Sequence, residues 1–399
     1  MKRFLMPATS VFALTAILSS FSCSSTDVKA TKKVAPKNAV EIVDDMRIGW
    51  NLGNTLDAFT DENIGVNSET CWGQPVTTQE MFASLKKAGF NTVRIPITWH
   101  NHIVDSDLTV DPAWIARSKQ VVDMALAEGL YVIINVHHDT APSEDFEEGR
   151  GYYPSENAKE KSLRFVTRMW EQIATTFNKD YDYHLIFELL NEPRLVGHER
   201  EWWYDAQVSA CKDAAKIINE YEQLCLDTIR KSGGKNANRY ILVPAYVASP
   251  WAAMADTFAL PKDKAKDKLM ISVHMYNPWS FAGEAPGELE FTQAAKDDLS
   301  GGFNTLYDHF VSKGIPVIIT ECGATNKNNL SAREEWFRYF FENARKKGMI
   351  GILWDNSTYE IKKPGDFGEH FGYYNRTEQT WYFPSLLKAA LDGVATGEK

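Results

Sequence analysis

The sequence predicts an α/β fold of the (β/α)8, or TIM-barrel, type in a single domain. Two observations carry the prediction. Eight short runs rich in Val, Ile and Leu recur along the 399-residue chain, most of them continuous, as strands covered on both faces should be. Between them stand segments whose apolar residues repeat at steps of three and four, the spacing of a helix face. Several of these segments close on a glycine that is soon followed by the next run. Strand, helix, glycine cap and strand again is the repeat unit of a parallel barrel.

In order, the strand candidates are 47–51, 91–97, 131–136, 185–190, 240–244, 269–274, 317–320 and 351–354. Trp114, Ile115, Ser118, Val121, Val122, Ala125 and Leu126 share one helical face, and Leu163, Val166, Trp170, Ile173 and Phe177 another. Gly89, Gly129, Gly314 and Gly348 each suit a left-handed helix cap. No second domain and no Pro/Gly linker follows residue 39.

The residues before 39 are set apart from the fold. Met1-Lys2-Arg3 is basic, and Phe4 to Phe21 is apolar and uncharged, so residues 1–23 read as an export signal. Ser20-Phe21-Ser22-Cys23 resembles a bacterial lipoprotein signal, with lipid on Cys23 as the expected membrane anchor. Ser20 and Phe21 depart from the Leu and small residue usual there, and Val28-Lys29-Ala30 offers ordinary signal cleavage instead. Residues 24–38, rich in Ser, Thr and Lys, form a flexible tether, and 39–399 the barrel domain. The expected protein is exported, secreted or held at the surface of a bacterium, and monomeric. Cys71, Cys211, Cys225 and Cys322 are expected to be mostly buried free thiols.

A net charge of −10 without a basic block in the body of the chain excludes nucleic acid as the expected partner. The 12 tryptophans are many, and several stand in polar surroundings, where an indole face can meet a ligand.

Polar and aromatic groups gather just after the strands: Asn54 after the first, Trp99 after the second, His137-His138-Asp139 after the third, His274-Met-Tyr276 and Trp279 after the sixth, Trp354 after the eighth. The C-terminal mouth is where barrels of this type place their chemistry. Two runs end there in glutamate, Glu192 within Asn191-Glu192-Pro193 and Glu321 after Thr320. Two carboxyls converging on one site suit glycoside hydrolysis, one protonating the departing oxygen and the other attacking the sugar. On that reading Glu192 needs a raised pKa, helped by repulsion from Glu321. Arg94 is a charge inside an apolar strand and must be paired, with Glu321 the expected partner. His137 and His138 could be metal ligands, but strand alternation would point them to opposite faces, so neither metal nor cofactor is expected. Trp99, Trp203, Trp279 and Trp354 count as candidate sugar contacts, and Trp202 shares the charged loop of Trp203.

Seven segments in order then resemble one family: Gly49 to Ala58 (GWNLGNTLDA), Glu69 to Gly73 (ETCWG), Asn91 to Pro96 (NTVRIP), Val136 to Asp139 (VHHD), Asn191-Glu192-Pro193, His274-Met275-Tyr276 and Glu321-Cys322-Gly323. Together they are similar to glycoside hydrolase family 5, most of all its subfamily 4 of endo-β-1,4-glucanases and xyloglucanases, over residues 39–392. The resemblance implies Glu192 as acid/base and Glu321 as nucleophile, with Arg94, His137, Asn191, His274, Tyr276 and Trp354 in the catalytic centre. Arg94 and Tyr276 would steady Glu321, Asn191 would hold a sugar 2-hydroxyl, and His138 and Asn54 would meet neighbouring sugars. The implied substrate is a β-linked polysaccharide or oligosaccharide. A β-mannanase, a xylanase or a catalytically inactive glycan-binding barrel is the alternative on the same scaffold.

Overall fold

The computed structural model describes residues 38–363, 366 and 368–398. The export segment with Cys23, and all but the last residue of the tether, lie outside the described residues. Eight strands close into one parallel barrel in chain order: β1 (Gly49–Asn51), β2 (Thr92–Ile95), β3 (Tyr131–Asn135), β4 (Leu185–Glu188), β5 (Ile241–Pro244), β6 (Leu269–His274), β7 (Val317–Cys322) and β8 (Ile350–Leu353), with β8 paired back onto β1. These are the runs read from the sequence, their ends moved by one or two residues. Closure leaves no open edge in the barrel to template aggregation.

The connecting helices follow from local signals. Helix Pro112–Ala127 starts on a proline whose missing N–H costs nothing in the first turn, and Asp111 caps it by accepting the Ala113 N–H at 2.8 Å. It buries Trp114, Ser118, Val121, Val122 and Ala125 and turns its other side to water. Helix Lys159–Thr176 buries Phe165, Val166, Met169, Trp170 and Ile173 in the same manner. The four expected cap glycines all have left-handed φ: +111° at Gly89, +66° at Gly129, +80° at Gly314 and +67° at Gly348. A side chain there would strain the turn that starts the next strand.

The core has two layers. A large sleeve joins the outward-facing strand residues, such as Val93, Val132, Phe187, Val273 and Ile319, to the buried helix faces. A smaller cluster fills the lower barrel: Ile133, Ile186, Leu242, Met270, Ile318 and Ile352. Ala39, Ile42, Val43 and Met46 join that cluster, so the short helix Ala39–Asp45 plugs the barrel floor. At seven residues it is too short to announce itself by periodicity. The paired segments Tyr374–Asn375 and Thr380–Trp381, two residues each, escape the sequence reading for the same reason. Cys211, Cys225 and Cys322 are buried thiols and Cys71 is half-buried.

Candidate active site

Inside a barrel, residues two apart on a strand face the same way. Two positions beyond the apolar floor, the interior turns polar: Ile133 gives way to Asn135, Ile186 to Glu188, Met270 to Ser272, and Ile318 to Thr320. Arg94 on β2 sits at the centre of this polar layer, fully buried. Its guanidinium spends its fork on four acceptors: Nε to Glu188 Oε2 at 2.7 Å, Nη1 to Asn51 Oδ1 at 3.0 Å and Glu321 Oε1 at 2.7 Å, and Nη2 to Asn191 Oδ1 at 2.6 Å. Glu188 completes its own set with Asn135 Nδ2 at 2.8 Å and Ser272 Oγ at 2.6 Å. Burial works against the charge on Arg94, but the carboxylates of Glu188 and Glu321 outweigh it and raise its pKa.

The expected pairing of Arg94 with Glu321 is present, and a second carboxylate, Glu188, stands beside it. Glu188 had the same signal as Arg94, a charge inside an apolar run, and sequence reading passed over it. Arg94→Met should therefore cost about 3–5 kcal/mol of stability, because Glu188 would remain buried without a cation. Urea unfolding reads this directly. A midpoint equal to that of the unaltered chain would mean that Glu188 does not depend on Arg94.

Glu321 owes its aim to an irregularity. Along the β6–β7 pairing, Val273 stands opposite Ile319 but His274 stands opposite Glu321, so the register slips by one. Thr320 stays in the interior layer, with Oγ1 at 2.7 Å from Ser272 Oγ, and Glu321 still reaches the mouth. There Oε1 accepts from Arg94, and Oε2 accepts from the Tyr276 hydroxyl at 3.0 Å. Glu192 lies beyond β4 and meets His274, whose Nδ1 is 2.7 Å from Glu192 Oε1 and 3.5 Å from Glu321 Oε2. The contact atoms of Glu192, His274 and Glu321 all lie within 4.8 Å of one another. A carboxyl separation of about 5 Å is the one that leaves no room for a water between acid and nucleophile.

One expectation from the sequence is reversed. Burial acts to raise the Glu192 carboxyl, but the His274 hydrogen bond and the charges of His274 and Arg194 prevail and hold it down at about 2. Glu321 is raised, by burial first and by the Glu192 charge, against the pull of His274 and Arg94. His274 is raised as well: burial opposes its charge, and the attraction of Glu321 and the Glu192 hydrogen bond overcome that opposition. The contact between His274 and Glu192 therefore favours a charged imidazole facing a charged carboxylate. Repulsion between the two acids alone would raise Glu192; the imidazole that stands between them reverses the sign.

His137 is buried, and burial first, then the charges of His138 and Arg94, hold it well below 6.5 and neutral. Its Nδ1 is 3.0 Å from the Asn135 amide nitrogen, which assigns the ring hydrogen to Nε2. The ring lies parallel to Trp354, with centroids 6.0 Å apart and planes 9° apart. The alternation argument for His137 and His138 fails, because β3 ends at Asn135 and both histidines stand in the loop beyond it. Their rings meet edge to face with centroids 4.3 Å apart, and with Asp57 their ligand atoms gather within 4.8 Å. Asp57 already accepts the backbone N–H groups of Asn54 and Thr55, at 3.0 and 2.7 Å. Asn54 takes a left-handed φ of +56° in that turn. Gly53 beside it is required, since a Cβ would stand 2.8 Å from the Asp355 carbonyl and 2.9 Å from the Trp354 ring.

Trp99 is not a sugar contact: it is 1% exposed, and its indole N–H is given to the Asn135 carbonyl at 2.9 Å. In the loop after β2, Trp99, Asn101 and His102 are buried, and only His100 reaches a cleft. Trp203 and Trp279, by contrast, are exposed and line a cleft of about 770 Å³ with Glu192, His274 and Tyr276. Trp202, Trp251 and Glu369 share that cleft. Trp251, on the short helix Pro250–Ala253, and Glu369 had no motif around them to mark them. His138 opens instead onto a second cleft with Phe59, His100 and Arg194.

A closed eight-stranded parallel barrel with two glutamates meeting at its C-terminal mouth is the architecture of a glycoside hydrolase. The chain belongs to the cellulase family, glycosyl hydrolase family 5, whose family model matches residues 57–360. It is 39% identical to Endoglucanase A of Clostridium longisporum, over 98% of this chain and 73% of that protein. Among solved structures it is similar to a family 5 lichenase of a Caldicellulosiruptor species, a mutant in complex with cellotetraose (40% identity, TM-score 0.84, 92% of this chain and 97% of that one). It also resembles a GH5-4 broad specificity endoglucanase of Ruminococcus champanellensis with bound cellotriose (38% identity, TM-score 0.81, 89% of this chain and 98% of that one).

Proposed function

We propose that this chain is a retaining endo-β-1,4-glucanase, acting on cellulose-type glucan, mixed-linkage glucan or xyloglucan, with Glu321 as nucleophile and Glu192 as acid and then base. The observation that carries the reading is the closeness of the two carboxylates, whose oxygens meet within 4.8 Å at the barrel mouth. The proton on His274 Nδ1 passes to Glu192 and on to the glycosidic oxygen as Glu321 Oε2 attacks C1. Arg94 and Tyr276 spread the charge on Glu321 and fix its aim. Asn191 Oδ1 is tied to Arg94, so its NH₂ is left for the 2-hydroxyl of the sugar at C1. His137 Nε2–H and the Trp354 face hold the same ring. Water, deprotonated by Glu192, then releases the glycosyl group with its configuration retained.

The relatives favour glucan over mannan or xylan, and two ionisable glutamates bound to Arg94 and His274 argue against an inactive barrel. The test is reducing-end release from barley β-glucan, xyloglucan, carboxymethylcellulose, mannan and xylan. A soluble β-glucan should lose viscosity quickly, as internal cuts require. Activity confined to mannan or xylan would reject the glucan reading, and no activity on any of them the hydrolase reading.

The shifts of His274 and Glu192 give the pH dependence a sign. His274 is raised from 6.5, so the protonated pair persists above that value and is lost as pH climbs through the raised pKa. The alkaline limb of kcat/KM should accordingly lie above 6.5 and should move toward acid in His274→Asn, where only the Glu192 carboxyl holds the proton. An alkaline limb unmoved by the substitution would show that the proton is held elsewhere.

Residues 1–23 act, on this reading, as an export signal that leaves lipid on Cys23, which puts the enzyme where polysaccharide is met. The mass of the mature N-terminus decides between that and cleavage after Ala30.

A further inference from the structure

Trp279 is 59% exposed in the cleft it shares with Glu192, His274 and Tyr276, so core packing does not set the angle of its indole. It opens a helix of four residues, Trp279–Ala282, too short to hold its shape alone. The last carbonyls of a helix have no partner within it. Here a charge from another element takes them. Lys327, in the loop after β7, gives its three ammonium hydrogens to three carbonyls of this turn: Ser280 at 3.2 Å, Phe281 at 2.6 Å and Glu284 at 3.1 Å. A cation suits that end of a helix, where carbonyl oxygens gather. The same turn fixes the indole. The Trp279 carbonyl accepts from the Gly283 and Glu284 N–H groups, at 2.9 and 2.7 Å, and a Cβ on Gly283 would collide with the Trp279 ring. Two further bonds join the loops after β6 and β7: Thr325 N–H to the Ala282 carbonyl at 2.8 Å, and Asn329 Nδ2 to the Leu289 carbonyl at 3.0 Å. Lys327 supplies the charge in this fastening.

We infer that Lys327 is a positioning residue for substrate binding, whose ammonium holds the 279–284 turn and through it the indole of Trp279. The inference rests on the glucanase reading above, since it needs a glucan in the cleft. Lys327 is not among the residues that line the cleft, so its effect should fall on binding and spare the chemical step. The charged groups that face it among the described residues are Glu284, Glu288 and Arg333. Burial lowers its pKa to about 8 against the attraction of the two glutamates, and Arg333 adds to the lowering. As pH rises through that value the charge is lost, and a neutral amine has two hydrogens for three carbonyls. The turn then loses one of its ties.

The experiment measures kcat and KM for reducing-end release from a soluble β-glucan in Lys327→Met, Lys327→Arg, Trp279→Ala and the double variant of Lys327→Met with Trp279→Ala. Below neutral pH, Lys327→Met should raise KM about tenfold and change kcat by less than about twofold. Lys327→Arg keeps the charge and should recover most of the lost affinity. The ratio of KM in Lys327→Met to KM in the unaltered chain should fall toward unity above pH about 8, where the unaltered chain has lost the same charge. Titrations elsewhere in the site cancel from that ratio. On the Trp279→Ala background, Lys327→Met should add no more than about twofold, because the indole it positions is gone. A misfolded fraction lowers kcat and leaves KM alone, so it does not mimic these results. An unchanged KM in Lys327→Met overturns the inference and leaves the glucanase reading standing. A tenfold effect that persists without Trp279 also overturns it, as does a KM ratio that stays level as pH rises. No hydrolysis by the unaltered enzyme would remove the glucanase reading and this inference with it.

Discussion

Glu321→Gln should lower turnover by roughly 10⁴- to 10⁶-fold while leaving the barrel folded. The amide has the shape of the carboxylate and keeps an oxygen for the Arg94 Nη1 hydrogen bond, so the polar layer stays filled. Arg94 also retains Glu188 as counter-ion at 2.7 Å. What is lost is the electron pair that attacks C1, and with it the covalent intermediate. Initial rates on a soluble β-glucan measure the loss, and circular dichroism with a urea midpoint measures the fold. A variant keeping more than a few per cent of the rate would place the nucleophile elsewhere. A variant that had lost its fold would mean that the Glu321 charge is needed to hold Arg94.

How much of this site the sequence reveals depends on which signals burial leaves visible. The strands are legible because runs such as Val-Ile-Ile-Asn and Val-Ile-Ile-Thr stand between glycine caps and polar loops. Both faces of these strands are buried, so apolar residues alone cannot say which face looks inward. Only the polar replacements at the upper end carry that information. Arg94 stands out as such a replacement; Glu188, followed directly by two leucines, merges into its run. Both strand-end glutamates are visible because Asn191-Glu192-Pro193 and Thr320-Glu321-Cys322 interrupt the apolar pattern abruptly. Trp99 shows the opposite error. Its neighbours His100 and Asn101 look like surface, but its N–H partner is a strand carbonyl 36 positions away, which no local pattern encodes. The reversed pKa of Glu192 has the same origin. His274 comes from β6, 82 positions further on, and its hydrogen bond outweighs the effect of the other acid.

The second large effect separates the roles of the two glutamates. Glu192→Ala removes the proton donor, so substrates with poor leaving groups should lose most of their rate, by roughly 10²–10⁴-fold. An aryl cellobioside with a good leaving group departs unaided, and its first step should survive. The glycosyl-enzyme on Glu321 should then accumulate, because no base remains to activate water. Azide needs no base, and adding it should restore turnover and yield the β-glycosyl azide, with the starting configuration kept. In Glu321→Ala the geometry is inverted. Azide enters from the face the nucleophile has vacated, Glu192 still protonates the leaving group, and the product should be the α-azide. The anomer is read by the coupling constant at C1. Opposite anomers would swap the two assignments, and an α-anomer as the first product of the unaltered enzyme would make it inverting and reject the covalent mechanism.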